Sequence, residues 1–182
     1  AAATQAAGEG AADASADPTT ATRAERIALE AGAAAYARAE ALARQEAATN
    51  LHYPASNALA LQLRLSLLNG ALPPAPADDA MLAVTRSLAQ QNLSAPDFWS
   101  VVGDSELRVM VALCQQRVAE IWPTIRVALD DLHTRQPAAQ QWASVRDQAE
   151  LLLVPYLAIE GLPESEVLAV GALRERLGLF SR

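Results

Sequence analysis

The side chains of this chain that most readily bind metals or act as nucleophiles belong to two histidines and one cysteine: His52, Cys114 and His133. A zinc site needs four ligand groups, or three and a water. Asp130 precedes His133 by three residues, but one such pair is not a complete site. A Cys–His nucleophilic pair also needs a group that orients the base, and none can be assigned. We therefore expect no metal site, surface or capping histidines, and a buried structural thiol at Cys114.

Paired carboxylates are a second candidate, because two acids can share general acid and base roles. The pairs Asp78-Asp79 and Asp130-Asp131 both fall near predicted helix ends, where caps or solvated charges explain them more simply. The chain contains no dinucleotide-binding glycine motif, phosphate-binding loop, Gly-x-Ser-x-Gly or His-Glu-x-x-His. We expect neither an enzyme nor a cofactor.

Three tryptophans, Trp99, Trp122 and Trp142, fall on three successive predicted helices, and core packing is their simplest role. An exposed tryptophan can also anchor a partner, because Trp and Arg are enriched at interface hot spots. Trp99 is the best candidate, since it lies near a helix start and close to Asp97.

The composition favours an all-α protein. All 14 basic residues are arginine, alanine is abundant, and aromatic residues make up only 4% of the chain. Ala, Leu, Arg, Gln and Glu are good helix formers. This composition is typical of a GC-rich bacterial genome.

The net charge of −7 and the pI of about 4.8 argue against nucleic acid and an anionic membrane as partners. No apolar run approaches the roughly 20 residues that span a bilayer. A single cysteine cannot form an internal disulfide, so nothing requires an oxidising compartment. We expect a cytoplasmic origin for this chain, which begins at Ala1 and is interpreted as a piece of a longer protein. The alternative is a processed chain from which a secretory signal has been cleaved.

We predict a disordered leader over residues 1–20, because small and polar residues there cannot offset the entropy of ordering. We predict that residues 21–182 form a helical repeat domain. Its predicted helices are 22–48, 54–68, 78–91, one starting at Ser94, 119–134, one from about 137 to 155 or 161, and 163–177.

Local signals set these boundaries. The pairs Thr22/Glu25 and Ser94/Asp97 match capping patterns, and Pro54 suits a first helical turn. Asn69-Gly70 and Gly178 are predicted helix ends. Pro123 requires its helix to begin just before it, and Gly103 suggests a close helix crossing. The inward face of the third helix is predicted to contain Met81, Leu82, Val84 and Leu88.

The starts near Pro54, Pro96 and Pro137 are 41 to 42 residues apart. This spacing is in the range of α-solenoid repeats. We therefore predict antiparallel helical hairpins stacked as a short tetratricopeptide-like α-solenoid.

Three motifs lie within residues 25–158: Tyr53-Pro54-x-x-Asn57-Ala58, Asp97-Phe98-Trp99 with Glu106, and Ala143-Ser144-Val145-Arg146-x-x-Ala149. These motifs resemble those of the TRAFs-binding domain family, a tetratricopeptide-like region of the apoptosis signal-regulating MAP kinase kinase kinases and of bacterial relatives. The sequence departs from the family at Gln115-Gln116-Arg117, where a glycine is usual, and in the connector 72–76. The resemblance implies a helical module that regulates or scaffolds signalling proteins, in bacteria within stress or conflict-response systems.

We accordingly expect a non-catalytic protein-binding scaffold. Its predicted partner-binding residues are Arg64, Asp97, Trp99 and Glu106, in one groove, and its predicted structural motif is Tyr53, Pro54 and Asn57. One alternative is an enzymatic or small-molecule-binding helical domain with a pocket lined by Tyr53, Asn57, Asp97 and Glu106. Another is an acidic inhibitor or immunity-type partner of a basic protein.

Overall fold

The computed structural model describes residues 18–182 except 47, 49, 73 and 137, with backbone only for 18–21. This part of the chain contains α-helices and no β-strand, which confirms the all-α prediction. The helices are α1 (Pro18–Gln45), α2 (His52–Leu67), α3 (Asp78–Ser94), α4 (Phe98–Gln115), α5 (Val118–Arg135), α6 (Ala139–Leu157) and α7 (Glu164–Phe180). None of these helices combines the length and hydropathy needed to cross a membrane.

The first helix begins earlier than predicted. Because α1 starts at Pro18, Thr22 and Glu25 lie inside the helix, and the capping box predicted at Thr22 is wrong. Proline is well suited to this first position, where its missing N–H has no intrahelical partner to lose. The rest of the predicted leader, residues 1–17, lies outside the described residues, as do Pro73 of the connector and Pro137 of the predicted sixth helix start.

The boundary between α3 and α4 also differs from the prediction. Ser94 is the last residue of α3, and its hydroxyl donates to the Gln90 carbonyl at 2.8 Å. Pro96 disfavours a helical conformation at Ala95, so α3 ends there. Asp97 then caps α4, because its side chain accepts a bond from the Ser100 N–H at 2.7 Å while the Asp97 N–H donates to the Ser100 hydroxyl. Asp97 therefore pairs with Ser100 rather than with Ser94.

Pro123 and Gly178 are predicted to lie at helix ends, but both lie inside helices. Pro123 is the sixth residue of α5, beyond the first turn, so the Ala119 carbonyl lacks its usual N–H donor. Gly178 lies inside α7, which continues until Phe180 because that ring is buried in the core. By contrast, α2 ends at Leu67, just before Asn69-Gly70 as predicted, and Gly70 follows at φ +66°.

Helix α2 lies at the centre of the molecule and packs against α1, α3, α4 and α6. Helices α4 with α5, and α6 with α7, pack as consecutive pairs, and α5 also packs against α7. Helix α3 packs only a narrow face on α2 and α4. Val84 and Leu88 are buried there, whereas Leu82 is 49% exposed, so its predicted inward position is wrong.

The chain reverses between α4 and α5 without a glycine. Gln116 adopts the left-handed conformation at φ 54°, and the Arg117 N–H donates to the Ala112 carbonyl at 2.9 Å. Such reversals place the start of α4 and α6 near the end of α5 and α7. The helices α4–α7 therefore have two ends, each built from four helix termini.

Candidate functional site

An aromatic cluster occupies one end of α4–α7. Its members are Phe98, Trp99, His133, Trp142 and Phe180, which come from the start of α4, the end of α5, the start of α6 and the end of α7. Trp142 is the centre, with ring centroids 5.4 Å from Phe98, 5.6 Å from His133 and 4.8 Å from Phe180. Its indole N–H donates to the Gln136 carbonyl at 2.7 Å, which ties the cluster to the end of α5.

Trp99 is the exposed member of this cluster. Its ring is 47% exposed, whereas Trp142 is fully buried. Trp99 packs edge-to-face on Phe98 at 5.0 Å, and Phe98 packs in the same way on Trp142. The exposed indole is thus supported from below by two core rings, an arrangement that aromatic pairs favour.

The far side of the aromatic cluster contains charged groups. His133 stacks on Phe180 with ring centroids 4.1 Å apart. The Arg176 guanidinium lies 5.0 Å from the Phe180 centroid and donates to Asp130 at 2.6 Å. Asp130, predicted to be a cap or solvated charge, therefore pairs with a cation on α7. The buried Nδ1 of His133 has no hydrogen-bond partner among the described residues.

Glu166 occupies the opposite end of α4–α7 and is only 2% exposed. Its carboxylate accepts bonds from the N–H groups of Val118 at 3.0 Å and Ala119 at 2.8 Å, and from the Tyr156 hydroxyl at 3.1 Å. A carboxylate beside the first N–H groups of a helix satisfies donors that have no intrahelical partner. No local sequence pattern identifies this role of Glu166, because the helix that it caps begins 48 residues earlier.

Cys114 and Tyr156 are titratable groups at the buried end around Glu166. Burial raises the pKa of the Cys114 thiol to about 11, which keeps it protonated near neutrality. Burial and the nearby Glu166 carboxylate also raise the pKa of Tyr156. Among the described residues, no group of three or more His, Cys, Asp or Glu side chains could hold a metal ion. These groups are arranged to cap and pack helices.

Arg64 is bound within the protein. Its guanidinium donates to the Glu25 carboxylate of α1 at 2.5 Å and 3.0 Å, and to the Leu151 carbonyl of α6 at 3.0 Å. This side chain therefore joins three helices. Leu151 is nine residues from Trp142, about 13 Å along α6, so the Arg64 contacts lie well away from the aromatic cluster. The structure does not bring Arg64 together with Trp99.

The other predicted site residues make mainly local contacts. Asp97 caps α4, and the Asn57 amide donates to the Tyr53 carbonyl one turn earlier at 2.8 Å. Tyr53 is exposed and contacts Tyr36 edge-to-face at 6.2 Å, whereas Pro54 is buried. Glu106 is half-buried, and burial raises the pKa of its carboxyl to about 7. Trp122 packs at the edge of the core.

A shallow groove of about 420 Å³ lies between the end of α1 and one face of α3. Arg44 and Arg86 stand on its two walls, with Ser87 and Gln90 beside Arg86. The remaining lining is apolar: Ala43, Ala48, Leu51 and Ala83. None of the residues predicted to bind a partner or to line a polar pocket borders this groove.

Comparison of the chain with protein-family models, curated proteins and solved structures finds no significant match.

Proposed function

We propose that this chain is a non-catalytic protein-interaction module that binds a protein partner through the surface around Trp99. The observation that carries the proposal is the contrast between the exposed Trp99 ring and its buried support by Phe98 and Trp142. A supported aromatic ring loses little conformational entropy on binding and buries a large apolar area. Tryptophan is accordingly enriched at interface hot spots.

The neighbouring contacts favour a role for Trp99 over the other predicted partner-binding residues. The polar groups of Arg64 and Asp97 are engaged in contacts within the protein. A partner would have to displace those bonds, whereas the exposed half of Trp99 is open to contact. The consecutive antiparallel pairs α4–α5 and α6–α7 support a tetratricopeptide-like scaffold as part of the same proposal, together with the TRAFs-binding resemblance.

Affinity capture from the native source tests the proposal with wild type, Trp99→Ala and Val127→Ala. Val127 is also an exposed apolar residue, but it lies on α5 outside the aromatic cluster, so it controls for the loss of surface hydrophobicity. All three proteins are first matched for helical content and thermal unfolding. We expect Trp99→Ala to weaken capture of a specific partner by about tenfold or more, as hot-spot truncations do.

Equal capture by wild type and Trp99→Ala would contradict this function. If Trp99→Ala unfolds, Trp99→Arg is used instead, because its long stem can cover Phe98 while its charge disrupts an apolar contact. A folded Trp99→Arg variant that captures the same partners as wild type would also contradict the proposal.

A further inference from the structure

We infer that the groove between α1 and α3 binds an acidic, partly apolar peptide segment of a protein partner. This inference rests on the proposed function, because it names the chemistry of a segment that such a module would bind. Its surface is separate from the aromatic cluster. Variants at the two surfaces therefore distinguish a failure of this inference from a failure of the proposed function.

The groove exists because α3 packs on α2 and α4 while one of its faces remains uncovered. Ala83, Arg86, Ser87 and Gln90 line the groove, and their spacing of three and four residues puts them on one helical face. Ser87 also accepts a bond from the His52 N–H at 3.1 Å, which ties this face to the first turn of α2. The wall is thus fixed relative to the start of α2.

The charges on the groove favour an anion. Arg86 has no hydrogen-bond or ion-pair partner among the described residues. Arg44 faces Arg86 from α1, and its guanidinium forms an ion pair with the Glu40 carboxylate at 2.6 Å. Other described arginines, such as Arg126 and Arg146, also lack an ion-pair partner within the described part of the chain, but Arg86 differs because it faces a second arginine across an apolar floor. Guanidinium groups pair with carboxylates through two parallel hydrogen bonds.

The floor of the groove favours a peptide over a small anion. Ala43 and Leu51 are buried, and Ala48 and Ala83 pack at the core edge. Small alanine side chains let an extended segment approach the backbone closely. A free phosphate could bind the guanidinium groups of the arginines but would make no contact with this apolar floor. A segment with alternating leucine and glutamate would contact both parts of the groove.

The experiment measures fluorescence anisotropy of a labelled hexapeptide of alternating leucine and glutamate with the full chain. A second peptide carries glutamine in place of glutamate. The protein variants are Arg86→Gln and Gln90→Glu, both at exposed groove positions, with Arg108→Gln as the control. Arg108 is an exposed arginine of α4 that pairs with Asp104 and does not line the groove.

We expect saturable binding of the acidic peptide below about 1 mM. Arg86→Gln and Gln90→Glu should each weaken it about tenfold, because a charge-assisted hydrogen bond is lost or opposed. Arg108→Gln should bind as wild type, and the glutamine peptide should bind about tenfold less tightly than the acidic one. Added salt should weaken binding of the acidic peptide more than binding of the glutamine peptide.

Several results would overturn the inference. They are absence of saturable binding, equal effects of Arg86→Gln and Arg108→Gln, or equal binding of the two peptides. Displacement of the peptide by equimolar inorganic phosphate would identify a general anion site instead. A wild-type dimer that Arg86→Gln converts to monomer would make a second copy of the chain the occupant. Loss of peptide binding alongside an intact Trp99-dependent partner would refute only this inference.

Discussion

The carboxylate of Glu166 lies 3.0 Å from the backbone nitrogen of Val118, so the first turn of α7 caps the first turn of α5. The same carboxylate binds the Ala119 N–H and the Tyr156 hydroxyl. Three donors from two other helices thus converge on one buried acid. This arrangement also sits beside the disruption in α5, where Pro123 leaves the Ala119 carbonyl without its usual donor.

Replacement of Glu166 by alanine should strongly destabilise the protein. It would leave two helix N–H groups and a buried hydroxyl without an acceptor, at a cost of about 3 kcal/mol or more in the free energy of unfolding. Urea unfolding followed by circular dichroism measures this change. Glu175→Ala, at an exposed position of the same helix, is the control and should change stability by less than about 0.5 kcal/mol. Similar effects of the two substitutions would refute the capping role.

Glu106 should make stability fall as the pH rises. Burial raises the pKa of its carboxyl from 4.5 to about 7, so within this window the native state binds more protons than the unfolded state. The free energy of unfolding therefore decreases as the pH rises from 4.5 to about 7. The protonated Glu106 side chain contributes its full stabilisation only below pH 4.5, the lower of the two pKa values.

Glu106→Gln should remove this dependence, because the amide cannot ionise. Relative to wild type, the variant should gain about 1 to 3 kcal/mol as the pH rises from about 4 to about 8. Urea denaturation at a series of pH values measures the difference. Glu160→Gln, at an exposed position, controls for the removal of one charge. A constant difference between Glu106→Gln and wild type would show that burial does not perturb this carboxyl.

Gly103→Ala should stabilise the protein. An added Cβ would lie 3.9 Å from Leu88 Cδ1, an ordinary contact, so the crossing of α3 and α4 does not require the glycine predicted for it. Alanine is favoured over glycine inside a helix by about 0.5–1 kcal/mol. Thermal unfolding tests this with Gly161→Ala as the opposite control, since Gly161 has φ +79° and an alanine there would be strained. A lower melting temperature for Gly103→Ala would contradict the expectation.

Arg64 and Glu25 should be energetically coupled. Arg64→Ala removes the contacts with α1 and α6 and should cost about 1–2 kcal/mol, because the Leu151 carbonyl loses its donor. A double-mutant cycle with Glu25→Ala should give a coupling of about 0.5–1 kcal/mol, since the pair is partly exposed. If partner capture is lost with no change in stability, Arg64 acts at an interface and its structural role is refuted.

The sequence alone determined the features that depend on near neighbours. Helix formers and the absence of competing patterns predicted the all-α fold, and Asn69-Gly70 ended α2 where expected. The inward stripe of α6 was also predictable, because Trp142, Val145, Leu152 and Leu153 follow the helical period and are all buried. Such signals are carried by spacings of a few residues, within the reach of local hydrogen bonds and side-chain packing.

The tertiary structure decided which side chains meet across the fold. Glu166 and Val118 are 48 residues apart, and Arg64 and Glu25 are 39 residues apart, so no local pattern predicts either contact. The same limit explains the error at Leu82, whose exposure depends on how few neighbours α3 has. Helical periodicity determines which residues share a face. The packing of distant helices determines whether that face is buried, bonded or left exposed, as it is at Trp99.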